Sequence, residues 1–263
     1  MKHIILLFAC FYLAFSVNVS AQNVAGSVEV GPYVAYQFGF FSTDIPDIPG
    51  VNSQSSEVST SGFSLGGLVA YHFTPTIAIL GIIRYDYLDL YSKQMGAKDT
   101  YTDQNGEVQE YSLYASSRFK IPQLTTTLFC QYNVIGRLNL LGGAQIGILS
   151  NDTEENRYSL LFNPTSPMSF DDIPSKIPTT YKGQTPQYWD ATHTSMVLYN
   201  GPIYQRNSMQ IALAGGLSLE TKLASNATIT SYLFFTYNLS SYSQFEGIHG
   251  LTGCFGTSLK FTL

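Results

Sequence analysis

Eight stretches of this chain alternate apolar with small or polar residues at a period of two, and the connections between them run long, short, long, short from first to last. Period two is that of a strand, whose successive side chains point to opposite faces. The stretches fall at about 28–40, 62–73, 77–91, 111–132, 137–149, 208–223 and 228–241, with an eighth ending the chain. In the first, Val28, Val30, Pro32, Val34, Tyr36, Phe38 and Phe40 share one face, against Glu29, Gly31, Tyr33, Ala35, Gln37 and Gly39. In the fourth, Pro122 predicts a bulge at which the alternation slips by one.

The short connections are Thr74–Thr76, about 133–136, and Ala224–Ala227; the long ones cover about 42–61, 92–110, 150–207 and 242–250. A soluble sandwich has no reason to gather every long connection at one end. A transmembrane β-barrel does, with short periplasmic turns, longer external loops and an even strand count. Strands of about 12–16 residues exceed the ~5–6 usual in globular sheets and meet the ~9–11 that a tilted membrane strand needs. The faces agree: one is Ile, Leu, Val and Phe with Tyr towards the ends, the other Gly, Ser, Thr, Gln and a few charges. The expectation is an all-β, eight-stranded, antiparallel up-and-down transmembrane β-barrel with long extracellular loops. If 157–162 and 195–206 join the wall, ten strands result.

Charged residues make up 12% of the chain, about half the ~25% of an ordinary soluble domain. Abundant aromatics (19 Tyr, 17 Phe) exclude a disordered chain. A net charge of -5 and a pI of 5.3 argue against a nucleic-acid partner, which calls for a basic stripe. Residues 1–21 read as a secretory signal peptide: Lys2 at the start, an apolar centre from Ile4 to Phe15, then Val19 and Ala21 as small residues before the cut. Cleavage after Ala21 leaves 22–263 as the barrel domain, starting at Gln22. Leu7-Phe8-Ala9-Cys10 loosely resembles a lipobox, but only about six apolar residues precede the cysteine and apolar sequence continues past it. Beyond the signal no run approaches the ~18 apolar residues of a spanning helix. Cys130 and Cys254 are too few for a disulfide framework and read as small apolar strand residues. The last strand closes at Leu263, so no periplasmic tail is expected to anchor the chain to peptidoglycan.

The signal ending Ser20-Ala21-Gln22, the opening Gly31-Pro32-Tyr33 and the segment Phe119-Lys120-Ile121-Pro122 resemble the PorT-like outer-membrane β-barrel domains common in Bacteroidetes. Those carry an acidic-Ile-Pro step where the fourth strand enters the membrane; here Lys120 holds the acidic position. The terminal Leu259-Lys260-Phe261-Thr262-Leu263 looks like a barrel-assembly signal, with Leu where Phe is more usual. The resemblance spans the mature chain and implies a bacterial outer-membrane location, with outer-membrane lipid as neighbour and no particular activity.

Residues able to carry chemistry are few. An eight-stranded barrel has an interior that side chains fill, which places Glu29, His72, Arg84, Asp86, Glu220 and Lys260 in a packed polar network. Strand direction puts Glu29, His72, Glu220 and Lys260 near the periplasmic end, with Glu29 and Lys260 neighbours across the closing seam. The alternative for these groups is a narrow channel or proton path. Some outer-membrane barrels are enzymes, and lipid A deacylases use a His and a Ser two apart. His193-Thr194-Ser195 has that spacing, with Asp190 as the evident acidic orienter. It stands in a loop, and a three-residue match is common by chance. Asp44 with Asp47, or Asp171 with Asp172, are the carboxylate pairs a calcium ion would meet, but exposed loop carboxylates are ordinarily just solvated. No His or Cys cluster has metal-ligand spacing, and no Gly-rich phosphate loop precedes a helix; neither cofactor nor metal is expected.

The connection at 150–207 is far longer than ordinary loops, which makes it functional or partly ordered. It holds the only Trp of the chain. Tyr181, Tyr188, Trp189, Tyr199 and Tyr204 are contact-residue types there. Asn105-Gly106 and Asn200-Gly201 both signal hairpins. The function expected is a non-enzymatic outer-membrane barrel whose external loops bind a partner or surface ligand, such as another outer-membrane protein or a secretion or uptake protein. A lipid A-modifying enzyme or protease and a narrow channel are the alternatives.

Overall fold

The computed structural model describes residues 24–42, 56–103, 105–162, 168–245 and 247–263. Both the signal segment and the pair Asp44 and Asp47 lie outside these residues. The described chain forms β1 (Val28–Ser42), β2 (Ser56–His72), β3 (Ile77–Thr102), β4 (Val108–Ile135), β5 (Leu138–Leu149), β6 (Thr153–Phe162), β7 (Gln187–Tyr188), β8 (Ser195–Gly201), β9 (Met209–Ala224), β10 (Ala227–Asn238) and β11 (His249–Thr262).

Eight of these close a ring of antiparallel neighbours, β1-β2-β3-β4-β5-β9-β10-β11, with β11 pairing back onto β1. Closure leaves no unpaired edge, which hydrocarbon requires. The outer face is apolar and bare. Ile83 and Leu128 expose 59% and 57% of their surface, values that water would penalise and lipid would not. Aromatics gather towards the two ends, Tyr71, Phe73 and Tyr132 below, Phe40, Phe63 and Tyr237 above, as a membrane girdle demands. The fold is a transmembrane β-barrel.

The inner face is layered rather than uniformly polar. Climbing β3 from its lower end, the inward residues are Leu80 and Ile82, then Arg84 and Asp86, then Leu88 and Leu90, all buried. The lower apolar layer is completed by Tyr33, Leu68, Phe129, Tyr232 and Phe234, the upper by Phe41, Phe119, Ile121, Tyr242 and Ile248. Gly66 makes room for the charge between them. A Cβ there would lie 2.1 Å from the Ile83 carbonyl oxygen and 2.6 Å from the Arg84 Cα. Cys130 faces out and Cys254 is buried in the lumen, so the two thiols sit on opposite faces of the wall.

Three expectations are corrected. β4 alternates without a slip from Tyr111 to Gln131, and Pro122 pairs with Tyr87 in register. A strand residue sends its nitrogen and its carbonyl to the same side; the Pro122 carbonyl accepts from the Ser150 N–H at 2.9 Å. Its missing N–H therefore faces 150–152, where β5 stops and β6 begins, and costs the ladder nothing. The register shift lies instead between Met95 and Lys98. Second, the strand bounds at 91 and 111 fall short: the hairpin that Asn105-Gly106 signals is present, and β3 and β4 run on into a ribbon up to it, Gly106 having φ 84°. Third, Asn200-Gly201 turns no hairpin: both residues end β8, paired with Glu155 and Glu154. β6 and β8 exist, but above the ring. The lower half of β4 pairs with β5 and its upper half with β6, so β6 prolongs β5 instead of adding a ninth strand.

Candidate functional site

Two sets of groups carry the polar chemistry, one inside the wall and one above it. Inside, near the short turns, Lys260 Nζ lies 2.6 Å from Glu29 Oε2 and 2.6 Å from Glu220 Oε1. His72 Nε2 meets Glu29 at 3.1 Å, and Gln131 donates to Glu220 at 3.3 Å. The antiparallel closure of β11 on β1, with Glu29 opposite Thr262, brings these residues together. Higher up, Arg84 Nε donates to Asp86 at 2.8 Å, and its two terminal nitrogens to Thr127 at 2.9 Å and Gln145 at 2.7 Å. The guanidinium lies 5.3 Å from the Phe234 ring centre. Every one of these groups is buried, and each charge has an opposite charge in contact, which a low-dielectric interior requires.

Above the wall, β6, β8 and β7 carry the sheet past the ring on one side. Their inner face packs Tyr158, Leu160, Met196 and Leu198 with Tyr111 and Leu113 of β4 against Met168, Phe170 and Ile173, which belong to two 3-10 turns, Phe170–Asp172 and Pro174–Lys176, and their flanks. The first turn is closed by Ser169 and Asp172 as a capping box. This platform has its own apolar cluster, independent of the lumen.

The platform sorts the sequence-nominated residues into two places. Tyr188 and Trp189 are exposed. Tyr188 stacks on His193 at 3.8 Å between ring centres and 5° between planes, and Asp171 holds both: it accepts from the Tyr188 hydroxyl at 2.6 Å and meets His193 Nδ1 at 2.6 Å. The Tyr188 hydrogen bond, and after it the His193 one, lower the Asp171 pKa, and the same Asp171 contact raises that of Tyr188. The acidic partner of His193 is therefore Asp171 and not Asp190. Asp190 instead receives the Thr194 N–H at 2.9 Å and the Thr192 and Thr194 hydroxyls. Ser195 donates to the Tyr158 carbonyl at 3.2 Å and faces Ser159 at 3.1 Å. The oxygens of Asp171 and Asp172 are occupied by hydrogen-bond donors, Asp172 taking the Ser169 N–H at 2.8 Å. Among the described residues no group of His, Cys and carboxylates is placed to hold a metal.

Tyr181, Tyr199 and Tyr204 are elsewhere, turned inward around a residue that no motif marks. Lys182 points into the platform, its Nζ 5.3 Å from the ring centres of Tyr181, Tyr199 and Phe245 and 5.9 Å from that of Tyr204. Glu154, fully buried, pairs with the same ammonium. These rings surround a cation of their own chain. Lys182 has φ 51° and Gly183 φ 77° in a turn in which Tyr181 and Gln184 bond each other's backbones. Gly183, second in a turn with two positive φ values, is the one local signal the sequence carries.

No family model matches the chain, and no curated protein does. Solved structures match over nearly its whole length. Ail, the attachment invasion locus protein of Yersinia pestis, is 14% identical over 90% of this chain and 100% of its own, with a TM-score of 0.36. The outer membrane protein OprG from Pseudomonas aeruginosa is 12% identical over 91% and 98%, with a TM-score of 0.43. The outer membrane protease OmpT from Escherichia coli is 10% identical over 94% and 99%, with a TM-score of 0.34. All three fall below a TM-score of 0.5, so they lend nothing to a choice between ligand, channel and reaction.

Proposed function

We propose that this chain is an outer-membrane β-barrel without enzymatic activity whose extracellular platform binds a partner or surface ligand. The observation that carries this reading is the platform itself. A barrel that only spans lipid needs short connections, whereas this one carries its sheet past the ring into a platform with its own apolar cluster and leaves Tyr188 and Trp189 exposed on it. The motif resemblance supports a place beside the PorT-like barrels; the companion proposed for the platform is another outer-membrane protein or a secretion or uptake protein. Against the channel reading stands a lumen crossed by two apolar layers and filled by paired charges. Against the enzyme reading, Ser195 spends its hydroxyl on Tyr158 and Ser159 rather than on His193.

The test is affinity purification of the tagged protein from native outer membranes in mild detergent. A stoichiometric companion is expected, lost when residues 168–194 are replaced by a short linker while the barrel still shifts on heating in gel electrophoresis. Recovery of the bare barrel, with stepwise conductance in planar bilayers, would replace this reading by the channel. Changed lipid A in a His193→Ala strain would replace it by the enzyme. N-terminal sequencing of the membrane-derived protein should read Gln22-Asn23-Val24; any later start moves the signal cleavage site.

A further inference from the structure

We propose that the aromatic pocket closed by Lys182 is a recognition site for a primary alkylammonium group, and that Lys182 is its resident, displaceable occupant. The inference rests on the platform being a binding surface and names the chemistry it reads. Four rings at cation–π distance around a buried carboxylate make a cation site by any of their parts. The carboxylate contact adds a selection. Glu154 takes a hydrogen bond from the ammonium, which a primary ammonium can donate and a quaternary one cannot.

The pocket is held by contacts that do not involve Lys182. Glu154 also accepts from Asn156 and, at 2.9 Å, from the Tyr204 N–H. Asn156 is in turn fixed by Ser117 at 2.5 Å. The Tyr199 hydroxyl donates to the Pro202 carbonyl at 2.7 Å, and Tyr204 packs edge-on to Phe245 with ring centres 5.2 Å apart and planes at 88°. Withdrawal of the lysine carries Tyr181 away on the same turn but would leave Tyr199, Tyr204 and Phe245 around a desolvated negative charge, which calls for another cation. The lysine, by contrast, arrives on the tip of a two-residue turn whose Gly183 and Gln184 are exposed. That turn is tied to the sheet by Gln184 and Asn200, at 3.1 and 3.2 Å. Peeling it back opens the pocket to the outside without moving a strand of the ring.

A tethered occupant competes as though present at roughly millimolar concentration, so the free site should show itself once Lys182 is removed. The purified full-length Lys182→Ala protein in detergent, checked for its heat-modifiable band, is titrated calorimetrically with n-butylammonium. Binding at least tenfold tighter than to wild type is expected, and Lys182→Ala/Glu154→Gln should lose it. Equal binding to wild type and Lys182→Ala, or binding that survives the Glu154 change, would overturn the site. Tetramethylammonium bound as tightly as n-butylammonium would overturn the hydrogen-bond selection. Acetyl-lysyl-glycine amide distinguishes the sources of the group: tighter than n-butylammonium means a lysine on a partner's turn, equal means a small amine. Hydrogen exchange on the wild-type protein needs no variant. Saturating n-butylammonium should speed exchange across 178–186, and unchanged rates would count against displacement. Null titrations with companion capture intact discard the ammonium site alone. Lost capture with intact titrations discards the protein partner and leaves a small-amine site.

Discussion

Lys260 stands between two buried carboxylates, and its removal would leave Glu29 and Glu220 facing each other across the lumen with His72 and Gln131 among their remaining partners. Breaking a buried pair in this way costs about 3–5 kcal/mol. Lys260→Met should lower the urea midpoint in lipid vesicles accordingly, and adding Glu29→Gln and Glu220→Gln should recover most of it; an unmoved midpoint in the single variant would refute the network. Asp171 makes a residue-scale prediction about pH. Its carboxyl is held below the ordinary value by the Tyr188 hydroxyl and His193. A depressed carboxyl stabilises fully above its unfolded pKa, about 3.9, and loses that contribution as pH falls through the lower folded value. Trp189, next to Tyr188 in the chain, should report a fluorescence transition below about pH 4 that Asp171→Asn abolishes. The pairing of Asp171 with His193 was not legible beforehand, because 22 residues separate them and no periodicity spans a loop. Lys182 was illegible for the same reason: besides its neighbour Tyr181, the partners named above come from β6, β8, the connection after β8 and the one after β10.

At the scale of elements, period and spacing carried most of the ring. The lower strand ends at His72, Ile77, Leu138, Ala224 and Ala227 fall within a residue of the sequence reading, because lipid enforces alternation there and each short turn is cut by Thr-Pro-Thr, Asn-Val-Ile-Gly or Ala-Ser-Asn-Ala. Among the upper ends, Leu149 and Met209 fall as close, but those of β3 and β4 did not yield to the same argument. β3 and β4 continue to Thr102 and from Val108 because pairing with each other, not with a membrane, sustains them, and their side chains no longer need a lipid face. The joint between wall and platform is Asp152, which accepts the Ile203 N–H at 2.9 Å and pairs with Arg206 at 2.7 Å. Hydrogen bonds to a buried charge are each worth about 1.5–3 kcal/mol. Asp152→Ala should therefore let proteases cut within 168–194 roughly ten- to a hundredfold faster by local opening, while the ring keeps its urea midpoint. A midpoint that falls in step with the cleavage rate would mean that wall and platform unfold as one unit.

For the whole molecule, the lipid face and the lumen obey opposite rules. Leu128, outward at mid-height, should tolerate Ala well, while Leu128→Arg should cost about 2–4 kcal/mol in vesicle unfolding; an equal cost for both would mean this face does not meet hydrocarbon. The wall is also uneven in height. β3, β4, β6 and β8 rise well above the ring, whereas β10 and β11 are joined by a stretch of ten residues, 239–248. A cylinder presents the same profile from every bearing in the plane of a membrane, and a neighbour drifting towards it gains nothing by arriving from one side. This molecule has a high quarter and a low one. A body diffusing laterally meets a rampart from one direction and a sill from the other, so each productive encounter is also a choice of azimuth.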